Sequence, residues 1–278
     1  ELYKNHIGIG ISIDGDRKCH DLQRTFVSGK GSYDTVKKNL LQAQRYYKNK
    51  IGTITTITKQ TAVHIEKIIE HLVLDLHISN IKLNFVHAST YTHGQNQCLN
   101  TQEIADTELR ILYKIIELQE RGYDVMEHNI FIKLKNLLFR EYTDICLSCG
   151  CCGGKKMIVF DMDGNIYPCE LTDDASFVIG SIYKKESLIE QIKMTIDKDK
   201  AFFKMKKAVE CEKCYWKFFC RGGCTVRALS EKRQMEVIDI DHIECAINQV
   251  LYPALMELVL RKPHIVNQML GEDLLVDE

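Results

Sequence analysis

No apolar run in the 278 residues approaches the ~20 residues that a membrane-spanning helix requires. The start of the chain lacks the basic segment, apolar stretch and small-residue cleavage site of a secretory leader. Charge of one sign is lacking too. The 37 Lys and Arg against 38 Asp and Glu give a formal net charge of -1, with the signs interspersed, so no nucleic-acid-binding face is signalled. There is no internal repeat, no low-complexity tract and no His-x3-His ligand pair on a helix. The expectation is therefore a cytoplasmic protein without a membrane or nucleic-acid partner. A hydrophobic content of 45% and a charged content of 27% exclude wholesale disorder. The length allows one large domain or two smaller ones.

What is abundant is cysteine. Twelve cysteines without a leader do not suggest a disulfide framework, because the cytosol keeps thiols reduced. Only Cys19 and Cys98 precede residue 146, and the other ten fall between Cys146 and Cys245. That shift in composition marks a domain boundary, giving domains at 1–140, 141–250 and 251–278.

The first part alternates strand-like and helix-like segments. His6 to Ile13 is β-branched with small residues between, and ends at the turn Asp14-Gly15. Ser32 to Asn49 has helical spacing with Ser32 as N-cap. Ile51 to Thr58 reads as a buried strand, Thr61 to Leu76 as a helix, Ile81 to Val86 as a third strand, and Thr101 to Arg121 as a helix ended by Gly122. Such alternation predicts βαβ units and a parallel sheet. At roughly 30 residues per unit, this part holds about three, against the eight of a complete barrel of about 250 residues. The expectation is an α/β chain carrying a partial (β/α) barrel whose front is missing. Beyond it, Lys156 to Tyr167 reads as a β-hairpin around Asp161-Met162-Asp163-Gly164-Asn165. Thr195 to Val209 reads as a charged helix, and Leu251 to Leu260 as a helix that stops before Pro263.

The cysteines follow a pattern: Cys146-x2-Cys149-x-Cys151-Cys152, then Gly164-x4-Cys169, then Cys211-x2-Cys214-x5-Cys220-x3-Cys224, then Cys245. Thiolates are the usual ligands of iron–sulfur clusters, four per cubane, although C-x2-C pairs also serve structural zinc. Glycines at 164, 222 and 223 permit tight backbone turns. The pattern, with its surroundings "FDMDGNIYPC", "IGSIY" and "CEKCYWKFFCRGGC", resembles the SPASM domain of radical S-adenosylmethionine (SAM) enzymes. The stretch "GISIDGDRKCHDLQRTFVSGKGSYDTV" is similar to the later strands of their barrel.

The resemblance implies two auxiliary [4Fe–4S] clusters. One would use Cys169, Cys224 and two cysteines of the 146–152 group. Cys146 and Cys151 are favoured there, with Cys149 and Cys152 as alternatives. The other would use Cys211, Cys214, Cys220 and Cys245. Tyr215, Trp216, Phe218 and Phe219 would pack around a cluster. Ser12, Asp14 and Arg24 would lie near SAM, with Arg24 pairing a carboxylate bidentately and Thr56 and Asn84 as lesser candidates. Glu170 occupies the position that in sulfatase-maturing relatives is assigned to proton removal, and its other reading is a solvent-facing carboxylate. The C-x3-C-x2-C loop that holds the SAM-cleaving cluster has no counterpart in these residues, so the chain by itself is expected to be inactive.

The implied activity of the complete enzyme is reduction of SAM to a 5′-deoxyadenosyl radical and hydrogen abstraction from a ribosomal peptide or other protein substrate, with thioether formation as one outcome. An electron donor such as ferredoxin or flavodoxin is implied as a partner. Formylglycine formation in a sulfatase is an alternative, and a non-catalytic iron–sulfur module is another.

Overall fold

The computed structural model describes residues 2–47, 51–87, 97–140, 146, 151–154, 156–172, 175–197, 209–230 and 240–271. The chain divides into two compact units. The first comprises Glu1–Val86, Asn96–Lys135 and Val250–Glu278, and the second comprises His87–Gln95 and Asn136–Gln249. The C-terminal residues thus count with the N-terminal strands.

The first unit carries a parallel sheet in the order β1 (Gly10–Ser12), β2 (Gly52–Ile57), β3 (Asn80–Phe85) and β4 (Met126–Glu127). Gly10 stands opposite Gly52, Thr53 opposite Ile81, and Ile81 opposite Glu127. The expected first strand shrinks to three residues, because the segment before it is a 3-10 turn at Tyr3–Asn5 closed by His6 in the left-handed region at φ 56°. Ile57, Ile81 and Leu83 of β2 and β3 are buried, as the alternation of a strand with one packed face requires.

Helices α1 (Arg17–Gln23) and α2 (Tyr33–Tyr47) link β1 to β2. Helix α2 begins directly after Ser32, whose carbonyl accepts from the Val36 N–H at 3.0 Å. The Ser32 hydroxyl does not cap the helix. It donates to the Arg24 carbonyl at 2.8 Å.

The single helix expected over Thr61–Leu76 is divided into α3 (Lys59–Ala62), α4 (Ile65–Glu70) and a π-helical turn at His71–Asp75. It starts early because Thr61 Oγ1 accepts from the Thr58 N–H at 2.9 Å. Helix α5 (Thr101–Glu120) is opened by Asn100 rather than Thr101. Asn100 Oδ1 accepts from the Glu103 N–H at 2.9 Å while Glu103 Oε2 accepts from the Asn100 N–H at 2.8 Å. This reciprocal box satisfies two donors that a helix start leaves open. Helix α6 (His128–Phe139) follows β4 without a break.

At the C-terminus, a helix runs over His242–Arg261 with Pro253 inside it, and a second over Pro263–Leu270. Pro263 therefore starts a helix instead of only ending one, because the first helical position needs no N–H. His242–Arg261 is long and apolar enough, by length and composition, to cross a membrane. Its Leu251, Tyr252 and Leu255 are fully buried, and Lys133 Nζ lies 5.5 Å from the centre of the Tyr252 ring.

The second unit has a three-stranded antiparallel sheet of β5 (Val159–Phe160), β6 (Asn165–Tyr167) and β7 (Gly180–Ser181). The hairpin turn is held by Asp161, whose Oδ1 accepts from the Asp163 and Asn165 N–H groups at 2.9 and 2.8 Å. Gly164 sits there at φ +76°, where a Cβ would come within 2.7 Å of the Ile182 and Tyr183 side chains. Glycine alone meets both demands.

A helix at Leu188–Asp197 covers the edge. Its Gln191 accepts from the Ser181 N–H at 2.8 Å and donates to the Ser181 carbonyl at 3.1 Å, as a neighbouring strand would. Of the helix expected over Thr195–Val209, residues 198–208 lie outside the described residues. Short helices at Lys217–Cys220 and Thr225–Ser230 complete the cysteine region.

Candidate functional site

Two places carry chemistry, one in each unit. The first is the C-terminal end of β1 and β2, the end where barrel enzymes set their ligand-binding groups. Asp14, 1% exposed, stands two residues beyond the end of β1. Its Oδ2 accepts from Arg24 Nε at 2.6 Å, and its Oδ1 accepts from Arg24 Nη2 at 3.3 Å and from the Thr56 N–H at 2.8 Å. The carboxylate expected to pair with Arg24 is thus supplied within the chain.

Arg24 also reaches Thr56 Oγ1 at 3.4 Å. The Asp14 N–H donates to His20 Nδ1 at 3.2 Å, which leaves His20 Nε2 to donate to Ser32 Oγ at 3.0 Å. Burial holds the His20 pKa below its usual range, so the ring is a neutral strut, in line with a structural role. Ser12 is exposed at the end of β1, and Asn84 is exposed on β3. Of the residues expected near SAM, Asp14, Arg24 and Thr56 are brought together here. Sequence reasoning missed Gln23, whose Nε2 donates to the Thr56 carbonyl at 3.1 Å while its Oε1 is buried without a hydrogen-bond partner.

The second place is the cysteine region. Ten of the described cysteines are outside any disulfide. Cys169 and Val226 form a small buried core, with Cys151, Cys224, Met157, Leu171 and Phe177 packed against it. Three of the four thiols expected in the first set are therefore together. Cys146 is exposed, and Cys149 lies outside the described residues. Cys152 is fully buried and disulfide-bonded. Burial pushes the Cys169 thiol up to about 11, with the neighbouring sulfurs of Cys224 and Cys151 adding to the effect. Burial raises Cys224 as well. The Leu171 N–H donates to Cys169 Sγ at 3.4 Å.

The second set, Cys211, Cys214, Cys220 and Cys245, lines one hollow, open in part to solvent, together with Trp216, Asp241 and Gln249. Gln249 Nε2 donates to Cys214 Sγ at 3.7 Å. Burial raises the Cys245 pKa, and Cys214 adds to the rise. Of the four aromatics expected to shield this set, Trp216 lines the hollow and Phe219 packs on it with ring centroids 6.3 Å apart. Tyr215 and Phe218 are 93% and 70% exposed, which corrects that expectation: the short helix Lys217–Cys220 turns Phe218 outward, where Lys217 covers its ring.

Among the described residues no group of three or more His, Cys, Asp or Glu side chains stands ready around a single metal ion. In the second set the four cysteines instead line one hollow. Four thiols lining a hollow, with an amide N–H aimed at one sulfur, fit an iron–sulfur core, whose four irons each take their own thiolate. The three-thiol cluster around Cys169 has the same donor chemistry. The cost of burying a thiolate, visible in the raised thiol pKa values, is removed when the sulfur binds a cation.

Glu170 follows Cys169 in a turn and is exposed, with its carboxylate available to solvent or to a docking substrate.

The parallel sheet with its crossover helices, followed by the cysteine unit, is the fold of radical SAM/SPASM enzymes. The chain is 25% identical over 224 residues to a cysteine-type anaerobic sulfatase-maturating enzyme of Clostridium novyi, across 80% of this chain and 58% of that protein. It is 23% identical over 229 residues to one of Clostridium perfringens, across 80% of this chain and 59% of that protein. The chain thus spans about three-fifths of the length of these curated relatives. The solved structure of anSMEcpe with bound AdoMet and the Cp18Cys peptide superposes with a TM-score of 0.75 at 18% identity, over 93% of this chain and 71% of that one. That of Streptococcus suis SuiB superposes with a TM-score of 0.52 at 16% identity, over 85% of this chain and 54% of that one. No family model matches the chain.

Proposed function

We propose that the chain is the sheet-and-cysteine part of a radical SAM/SPASM enzyme of the anaerobic sulfatase-maturating kind, one that oxidises a cysteine or serine side chain of a protein substrate to formylglycine. The observation that carries the reading is the pair of thiol groupings, Cys151–Cys169–Cys224 and Cys211–Cys214–Cys220–Cys245, set beside relatives of that name. Cys146 completes the first set, as the resemblance favours, with Cys149 and Cys152 as the alternatives.

Bound SAM with its own cluster supplies hydrogen-atom abstraction, and the auxiliary clusters supply acceptance of one electron. The chain's residues do the rest. Asp14, fixed by Arg24 and Thr56, would shape the SAM end of the sheet, where the exposed Ser12 hydroxyl would be available to SAM. Glu170 accepts on its carboxylate the proton that the substrate loses as it is oxidised. The C-x3-C-x2-C spacing that the resemblance gives to the SAM-cleaving cluster does not occur in these residues. Ferredoxin or flavodoxin in the cytoplasm delivers the electron that starts each turnover.

The natural gene product, purified anaerobically with SAM and a strong reductant, tests the reading. Release of 5′-deoxyadenosine together with conversion of cysteine to an aldehyde in a sulfatase-derived peptide is the expected result. Glu170→Gln then keeps the iron content and loses the aldehyde. Loss of two hydrogens with a new thioether would make the enzyme a peptide cross-linker, and absence of 5′-deoxyadenosine would leave an electron-transfer module.

A further inference from the structure

Asp241 carries no sulfur and belongs to neither thiol set, yet it is bonded to one cysteine of each. Its Oδ2 accepts from the Cys224 N–H at 2.7 Å. Its backbone carbonyl accepts from the Cys245 N–H at 2.9 Å. Its Oδ1 accepts from the Glu244 N–H at 3.1 Å, so Asp241 caps the helix that presents Cys245. The residue also lines the hollow of the second set.

The carboxylate is 2% exposed and is held by Arg227, with Nε at 3.0 Å and Nη2 at 2.7 Å from Oδ2. Arg227 Nη2 reaches Glu244 Oε2 at 3.2 Å as well, and Asn248 Nδ2 donates to Glu244 Oε1 at 3.2 Å. Gly223 lies so close that a Cβ there would meet Asp241 Oδ2 at 2.7 Å. The loop from Cys220 to Cys224, which runs from a member of one set to a member of the other, is thus laid directly on this carboxylate.

We propose that Asp241 is a positioning residue that couples the two sulfur sites, so that loading of one with its iron–sulfur core favours loading of the other. The proposal rests on the cluster reading above. Holding a thiolate in ligating position costs conformational freedom, and a shared anchor lets the first core meet part of that cost for the second. Such coupling is reciprocal and amounts to a factor of about 5 to 150 in affinity. Asp241→Ala leaves the Cys224 N–H without its acceptor and removes one of the two carboxylates that hold Arg227 among the described residues. Asp241→Asn keeps the volume and one acceptor but loses the charge that fixes Arg227.

The test is anaerobic reconstitution with limiting iron and sulfide, followed by native mass spectrometry of the loaded chains. In the wild type, chains with no core and chains with both predominate. In Asp241→Asn and Asp241→Ala, the ratio of singly to doubly loaded chains rises at least about fivefold. Should Asp241→Ala fail to fold, Asp241→Asn decides. A distribution in both variants equal to that of the wild type would overturn the coupling while leaving the clusters in place. A wild type that takes up no iron would instead remove the cluster reading itself.

Discussion

Arg24 grips Asp14 from ten residues away, with Nε at 2.6 Å from one carboxylate oxygen and Nη2 at 3.3 Å from the other. The carboxylate is 1% exposed and the Arg24 side chain 35% exposed. Removing one partner of such a pair leaves a buried charge uncompensated, which costs more than the pair itself contributes. Arg24→Ala is expected to lower unfolding free energy by about 2–4 kcal/mol, read from urea midpoints. Arg24→Lys recovers only part, because an ammonium cannot span both oxygens and Thr56.

Glu127 gives the first unit a pH dependence. Burial pushes its pKa up to about 7, although backbone N–H groups of Ile130, Leu83 and Asn129 donate to it. The ordinary value is 4.5. Between those values the native state holds a proton that the unfolded state has lost, so stability falls as pH rises from 4.5 to about 7 and is level above. The fall is on the order of 3 kcal/mol. Glu127→Gln is expected to flatten this slope in thermal melts across that range, and an unchanged slope would assign it elsewhere.

The neighbours Cys151 and Cys152 are expected to behave differently. Cys151 packs with Cys169 and Cys224, whereas the resemblance makes Cys152 only an alternative ligand. Cys151→Ser should lose about four of the chain's irons, one cubane's worth, and Cys152→Ser should keep them. Iron and acid-labile sulfide assays on the two variants check this, and the reverse outcome would exchange the ligands.

The sequence made the parallel sheet readable through its Ile- and Thr-rich runs, and the cysteine sets through the resemblance of their pattern to the SPASM domain. Strand β4 was not readable, because Met126–Glu127 is two residues long and exists only by pairing with Asn80 and Ile81. Strand β7, again two residues, depends on Asn165, Ile166 and Gln191 in the same way. The break after Ala62 and the π-helical turn at His71 interrupt a periodicity that continues across them, so spacing alone joins them into one helix. Arg24 was legible as a cation seeking a carboxylate, but only the fold brings Asp14 to it. Asp241 had no signal in the sequence, since its meaning lies in reaching Cys224 across seventeen positions.

Iron and sulfide counted per chain after anaerobic reconstitution, for the wild type, Cys169→Ser and Cys220→Ser, test the account most directly. About eight irons in the wild type and about four in each variant are predicted, one cubane lost from each thiol set. A colourless wild type, or one that binds zinc in place of iron, would contradict it.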